Sequence, residues 1–565
     1  MSEGIQKDMK LVKAASLGFF SLLLIMTGTP VASAAAWSLP LASEIKNGEE
    51  LVAVEEGVIP TRSTRQVNFD VKSSGVFQGR ICDVDFESGD CDLSNPELDF
   101  WGRSIMGICE STLDTNCIES FGLSTSKGTP INGTYLRSVE TPHYASISEK
   151  GLPAFKSTPL FTVTGFTHKG GASTYAPIVE TTFKWNRSTK KFYASAFQAN
   201  VIPYSEVTDA KYYAPIFANV KNGDRETVLY AEPDTGCAWV EKSRCGVRED
   251  FSDDVRVHLT IRLSNEIAGW FRGRLTNPSI TIKSDNPGSN SITIIGEPVL
   301  VARFGALATQ ENTSSQEQSL IAGMGGNPGT SVFGGRGRRY AFAHWGDFAW
   351  LETFRDIAKD TALGTSKVWN VSSIDKVSAN SCLDDSGRLL GIVTTNATMY
   401  DGKVPDFVDG ELRYKVSGMH YLPDGKTLSS GTYDLVMRSD TARCLYNFSS
   451  APITASISVI SASGSSQVAT TVSGERDGWL YLSATNFTFS SPTIKVKLAQ
   501  PTPEPSATAN PQPSPTASVA PSTTASKQTS ANSSVKKKSI TCVKGATSKK
   551  VVAVNPKCPK GYKKI

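Results

Sequence analysis

The sequence predicts a mainly β protein with two β-rich, sandwich-like domains, one short helical segment, a disordered Pro/Ser/Thr linker and a small Cys-stapled basic tail. Three observations predict this. Val255 to Leu263 alternates apolar odd positions with polar even ones, the period-two pattern of a strand with one face in a core. Short alternating runs recur between 370 and 499, separated by turn signals at Pro423-Asp424-Gly425, Ser463-Gly464 and Asp477-Gly478, the spacing of a sandwich of about immunoglobulin size. Composition then changes abruptly: Pro501, Pro503, Pro505, Pro511, Pro513, Pro515 and Pro521 sit among Ser, Thr and Ala, which cannot build a core.

In chain order, Met1 to Ala36 reads as a signal peptide. Lys7, Lys10 and Lys13 form a positive start, an apolar run follows from Ala14 to about Gly28, and small residues from Val31 to Ala36 suit a signal peptidase. The run is shorter than the ~20 residues of a membrane span. Residues 37–65 read as an extended lead-in and 66–305 as a β-rich domain. Within it, Ser279–Lys283 and Ser291–Ile295 flank a turn-rich stretch, Ser284 to Asn290, giving a hairpin with a long loop; Phe183-Lys184-Trp185 and Phe192-Tyr193-Ala194 flank Asn186 to Lys191 in the same way. Residues 306–369 read as a glycine-rich loop plus a helix, with Asp347 as N-cap, Trp350, Leu351, Phe354, Ile357 and Ala358 as its apolar stripe and Gly364 as its stop. Residues 370–499 form the second domain, in which Ile453, Ala455, Ile457 and Val459 alternate with polar residues, as do Ile494, Val496 and Leu498 with Lys495 and Lys497 facing out. Residues 500–535 are the linker, with an upper reach of roughly 110 Å at ~3.1 Å per residue. Residues 536–565 are the basic tail.

Ten cysteines are present: Cys82, Cys91, Cys109, Cys117, Cys237, Cys245, Cys382, Cys444, Cys542 and Cys558. Pairs of close neighbours suit small loops pinned by disulfides in an oxidising compartment. The preferred pairing is 82–91, 109–117, 237–245, 382–444 and 542–558, the fourth tying an early strand to a later one across the sandwich; sequence alone leaves connectivity open. Neither C-x₂₋₄-C spacing nor paired histidines point to zinc. The formal net charge is +4. The tail alone contributes ten lysines and no acid, and the signal region +1, which leaves residues 37–530 at −7. An acidic body with a basic tail predicts a tail that meets an anionic surface.

The C-terminus runs Ile540-Thr541-Cys542-Val543-Lys544-Gly545, then Val551 to Cys558, then Pro559-Lys560-Gly561-Tyr562-Lys563-Lys564. It resembles a short tail module that ends uncharacterised secreted and cell-surface proteins of actinobacteria. The stretch from Tyr433 to Tyr446 and on to Leu498 is also similar to a β-domain of such proteins. The resemblance implies location and architecture, not chemistry, and no LPxTG-type sorting signal accompanies it.

Envelope binding is assigned to Lys536, Lys537, Lys538, Lys544, Lys549, Lys550, Lys557, Lys560, Lys563 and Lys564. Single exposed ion pairs are weak, ~0–1 kcal/mol, but many on a flexible spacer gain by multivalency. Asp83, Asp85, Glu87, Asp90 and Asp92 resemble the opening of a calcium loop, yet Ser88 replaces the turn glycine and no Glu stands at the twelfth position; a plain acidic loop is the alternative. His143, His168, His258, His344 and His420 form no H-E-x-x-H, and no G-x-S-x-G elbow exists, so metal hydrolase and serine hydrolase signatures are missing. His258 falls on the polar face of its strand. Gly334 to Tyr340 could cradle an anion but lacks the Lys-Ser/Thr of a phosphate loop. Trp239, Trp345 and Trp350 are weighed as sugar-stacking rings against plain core residues. No catalytic residue, metal or cofactor is assigned. The reading is an extracellular or cell-surface binding, adhesion or envelope structural protein, with an anionic envelope polymer as partner of the tail, a glycan or protein as possible further ligand, no nucleic acid partner and no transmembrane helix in the mature chain. The alternative is a secreted glycan-active hydrolase, whose paired carboxylates need no linear motif.

Overall fold

The computed structural model describes residues 45–56, 66–71, 76–77, 91–140, 145–154, 156–208, 215–217, 229–231, 236–241, 244–264, 266–323, 333, 337–374, 380–384, 387–461, 464, 466–467, 469–489, 492–500, 538–544, 547–553 and 563–564. The signal region, the Pro/Ser/Thr linker, Cys82, Cys558 and His143 lie outside them. The fold is mainly β, with several sheets and three α-helices among the described residues. None of these helices is long and apolar enough to cross a membrane.

Among the described residues the largest sheet has fifteen strands. Its main path runs through Val76–Phe77, Gln66–Val71, Leu98–Ile105, Thr174–Asn186, Lys191–Val207, Asn370–Ser373, Gly269–Arg274, Leu389–Thr395, Ser430–Arg438, Trp479–Thr488 and Thr470–Arg476. The two β-rich regions expected at 66–305 and 370–499 therefore share one sheet. Gly269–Arg274 pairs antiparallel with Asn370–Ser373 (Phe271 with Ser373) and parallel with Leu389–Thr395 (Phe271 with Ile392). The described residues up to 500 belong to one compact unit and those from 538 onward to another. The expected lead-in is also structured: Glu50–Glu55 pairs with Gly305–Ala308 and, in parallel, with Gly337–Phe342. Long-range pairing of this kind leaves no local signature, because each strand looks alike whichever neighbour it meets.

A five-stranded sheet follows the order Thr276–Asn286, Ser289–Glu297, Arg256–Ser264, Cys117–Ser124, Ile131–Asn132. Val257, Leu259, Ile261 and Leu263 are buried, as their alternation predicts. The even positions are not in open water. Thr260 bonds Thr293 at 2.9 Å, His258 Nε2 lies 2.8 Å from Ser124 Oγ, and Arg262 is buried against Glu119 and the Ser111 and Asp114 carbonyls. The hairpin at 284–290 is tight rather than long: Asn286 pairs with Ser289 across Pro287-Gly288, and Gly288 takes φ +84°, open to glycine without strain. The hairpin around Asn186–Lys191 forms as expected, with Trp185 abreast of Phe192.

The region 370–499 is sandwich-like. A six-stranded sheet containing Glu411–Ser417, Thr493–Ala499 and Thr454–Ile460 packs its Tyr414, Ile494, Val496 and Leu498 into one core with Tyr433, Leu435, Leu480 and Phe487 of the large sheet. Lys497 is exposed, as the alternation requires. The expected helix spans Phe348–Phe354 and buries Trp350, Leu351 and Phe354. Asp347 precedes it without a side-chain capping bond, and Gly364 opens a strand instead of stopping the helix. The chain leaves through Lys359 and Asp360, both with positive φ. Two further helices, Ser315–Gly323 and Ser439–Tyr446, were not expected.

Disulfides join Cys109 to Cys117, Cys237 to Cys245 and Cys382 to Cys444. The last ties the short turn Ser381–Leu383 to the helix Ser439–Tyr446, not strand to strand. Cys91 is disulfide-bonded, whereas the pairings proposed for Cys82 and Cys558 fall outside the described residues. In the C-terminal unit Lys538–Lys544 pairs with Thr547–Ala553 and Lys563–Lys564, which sets Cys542 abreast of Lys549 and Lys564. Lys538, Lys544, Lys549, Lys550, Lys563 and Lys564 lie in these strands; Lys536, Lys537, Lys557 and Lys560 fall outside the described residues.

Candidate functional site

A groove of about 610 Å³ opens where the five-stranded sheet meets the edge of the large one. One wall is Arg256 with Asn277, Pro278 and Glu297; the other is built from Ser430–Arg438, Trp479–Thr488 and Thr470–Arg476. Register explains the second wall. Val436, Tyr481 and Gly474 stand abreast, and Asp434 stands abreast of Ser483, so these residues share a face. A bulge between Thr276 and Ser279 supplies the first wall: it carries Asn277 at φ +52° and accommodates Pro278 inside a strand.

Asp434 sits at the root, only 3% exposed. The Thr276 hydroxyl donates to its Oδ2 at 2.9 Å, and the Ser483 hydroxyl and Asn277 backbone N–H also donate to it. Burial nevertheless pushes its carboxyl up to about 6, and the nearby Glu297 charge adds to the rise. Glu297 accepts from Asn277 Nδ2 at 3.2 Å and faces Arg256 Nε at 3.8 Å, while Arg256 also donates to the Asn277 carbonyl. Glu475 pairs with Arg443 at 2.8 Å, and that bond holds its carboxyl below the usual range. The Arg476 guanidinium lies 4.1 Å from the Tyr481 ring centroid. Beside that ring, a Cβ on Gly474 would meet nothing within 4 Å, so the floor is open there. The groove is thus lined by the Arg476–Tyr481 stack, carboxylates and guanidinium groups, polar chemistry that suits a hydroxyl-rich ligand.

A second concentration of charge is closed. Arg274 is 0% exposed, pairs with both oxygens of Glu56 at 2.6 and 3.1 Å, donates to the carbonyls of Thr395, Ala397 and Thr398, and lies over the Tyr400 ring at 4.5 Å. With its donors engaged it fastens Gly269–Arg274 to the segment after Leu389–Thr395. Burial together with Arg272 and Arg274 pushes the nearby His344 down to about 3.

Other sequence candidates are dispersed. Trp239 and Trp350 are core residues, whereas Trp345 is exposed. His168 is buried against the Tyr204 carbonyl. His258 is half-buried on Ser124, not solvated, and burial with Arg256 lowers its pKa. His420 Nδ1 bonds Asp360. Of the acidic loop, Asp83, Asp85, Glu87 and Asp90 lie outside the described residues, and Asp92 accepts from the Ser94 backbone. Gly334, Gly335 and Arg336 also lie outside, while Gly337 to Tyr340 forms strand rather than loop. Among the described residues no cluster of His, Cys, Asp and Glu could hold a metal.

The groove was missed by sequence reasoning, although one signal existed: Asp434 interrupts the apolar run Tyr433 to Met437. Glu297, Arg256 and Tyr481 carry no such mark. No family model matches the chain, and no curated protein matches its sequence.

Proposed function

We propose that this chain is a secreted, envelope-associated binding protein that captures a hydroxyl-rich ligand in the Asp434 groove and is retained on anionic envelope polymer by its basic tail. The groove carries this reading: an open cleft of about 610 Å³ is lined by Glu297, Arg256 and the Arg476–Tyr481 stack. Such a site fits a glycan better than an apolar ligand, whose pocket would be lined mainly by hydrophobic side chains. The tail contributes ten lysines and no acid beyond residue 530. The three disulfides suit an oxidising compartment. Sedimentation with purified envelopes at low salt tests both parts. Removal of residues 503–565 is expected to lower the bound fraction, and Gly474→Trp, which fills the open floor, to lower what remains. Unchanged sedimentation of both variants defeats the proposal.

The hydrolase reading is favoured by one observation, a carboxyl held up to about 6 beside a second carboxylate in a cleft. Against it, Asp434 is nearly sealed and accepts three hydrogen bonds, so it is committed as an acceptor and poorly placed to protonate a substrate. Polysaccharide cleavage abolished by Asp434→Asn would reverse this preference.

A further inference from the structure

The aromatic side chains around Gly337–Phe342 are arranged unlike those of the core. Tyr340 and Phe342 alternate with the buried Arg339 and Ala341 along this strand, and His344 continues their row beyond it. Phe342 meets Tyr340 edge-on at 5.4 Å and stacks on His344 at 5.9 Å. The row ends at Trp345, whose ring meets Phe342 edge-on at 4.7 Å and is 58% exposed. Among the described tryptophans it alone is exposed.

The backbone holds this ring in place. Trp345 N–H donates to the Phe342 carbonyl at 3.0 Å, and Trp345 forms an antiparallel bridge with Asp401. The two segments approach so closely that a Cβ on Gly402 would collide with the His344 carbonyl oxygen. Polar residues flank the Trp345 segment, and a Cβ on the next residue, Gly346, would lie 3.5 Å from Asp401 Oδ1. Asp401 pairs with the exposed Lys403 at 3.4 Å. Asp347, two residues beyond Trp345, precedes a helix without capping it, which leaves its carboxylate outside the helix hydrogen bonding.

We propose that Trp345 is the stacking platform of a second sugar-binding site, one that takes a neutral pyranose ring of a polysaccharide. The apolar C–H face of the ring lies on the indole, while its hydroxyls donate to Asp401 and Asp347 and accept from Lys403. A fixed aromatic face bordered by a few charged groups matches the two-sided chemistry of a pyranose: an apolar face and a hydroxyl rim. A purely apolar partner would leave the Asp401–Lys403 pair desolvated without compensation. This inference does not rest on the groove, which belongs to other strands.

Affinity electrophoresis of the intact chain through native gels containing hydroxyethylcellulose or soluble mixed-linkage β-glucan tests it. Both polymers are uncharged, so the lysine tail does not retard the protein. Wild type is expected to slow with polymer concentration. Trp345→Ala should weaken retardation at least about tenfold, Trp345→Phe should keep most of it, and Lys403→Ala should lose about threefold. Gly474→Trp should leave retardation by these polymers unchanged, which separates this site from the groove. Wild-type mobility unaffected by both polymers, or Trp345→Ala retarded as wild type, overturns the proposal; melting temperatures of the variants show that each is folded.

Discussion

Arg274 and Asp434 are both charged side chains withdrawn from water, and their surroundings differ in kind. Arg274 meets an opposite charge on Glu56, three carbonyls and an aromatic face, and is sealed from solvent. Asp434 is hydrogen-bonded by hydroxyls and one N–H, has another carboxylate nearby, and stands at the root of an open groove. The first arrangement spends its polarity internally and joins segments distant in sequence. The second leaves its carboxyl near the edge of ionisation and its neighbours Glu297, Arg476 and Tyr481 facing space a ligand can fill. Burial alone therefore does not separate the two residues; the completeness of electrostatic compensation does.

The largest effect expected is at the closed site. Arg274→Met removes the cation paired with Glu56, leaving it only the buried Arg303 nearby, and strips three carbonyls of their donor; it should cost about 3–5 kcal/mol, seen as a large fall in the denaturant midpoint. The same variant removes one of the two cations beside His344, so its imidazole should titrate closer to 6.5 by NMR. In wild type a folded-state value near 3 means that His344 binds fewer protons folded than unfolded below pH 6.5. Stability is complete above 6.5 and lost as pH falls toward 3, and His344→Gln should flatten that acid limb.

At the open site the pH dependence has the opposite sign. The folded Asp434 binds its proton more tightly than the unfolded chain, so its contribution grows as pH falls from about 7 to about 4 and is lost as pH rises through about 6. Relative to Asp434→Asn, wild type should gain on the order of 2 kcal/mol across that window in urea titrations. Equal slopes for the two proteins would erase the contrast with Arg274. Thr276→Val removes one donor to Asp434 and should cost about 1 kcal/mol while raising the Asp434 midpoint further. The smallest expected effect on stability is that of Gly474→Trp, within about 0.5 kcal/mol, since its position is open and its φ is not positive; a greater loss would show that the groove floor is packed rather than vacant.

Much of the local structure was legible. Val257 to Leu263 and Ile494 to Leu498 announced their buried faces because side chains on a strand alternate with period two. The close cysteine pairs 109–117 and 237–245 were legible because short loops bring such residues together. The sharing of one sheet by both β-rich regions was not. Glu50–Glu55 and Gly269–Arg274 find partners far away in the chain, and no residue in them names those partners. The groove escaped for the same reason: Asp434, Glu297 and Tyr481 are separated by long stretches, and only the packing of one sheet against another makes them neighbours.

The sequence by itself determined the β character, the turns, the concentration of positive charge beyond residue 530 and the set of thiols available for bridging. These are properties of residues and their near neighbours. Tertiary structure decided that both β-rich regions share one sheet, that Trp239 is core while Trp345 faces solvent, and that one buried charge is sealed while another lies at a cleft. Burial and electrostatic compensation depend on distances in space, and those exist only once remote strands have paired.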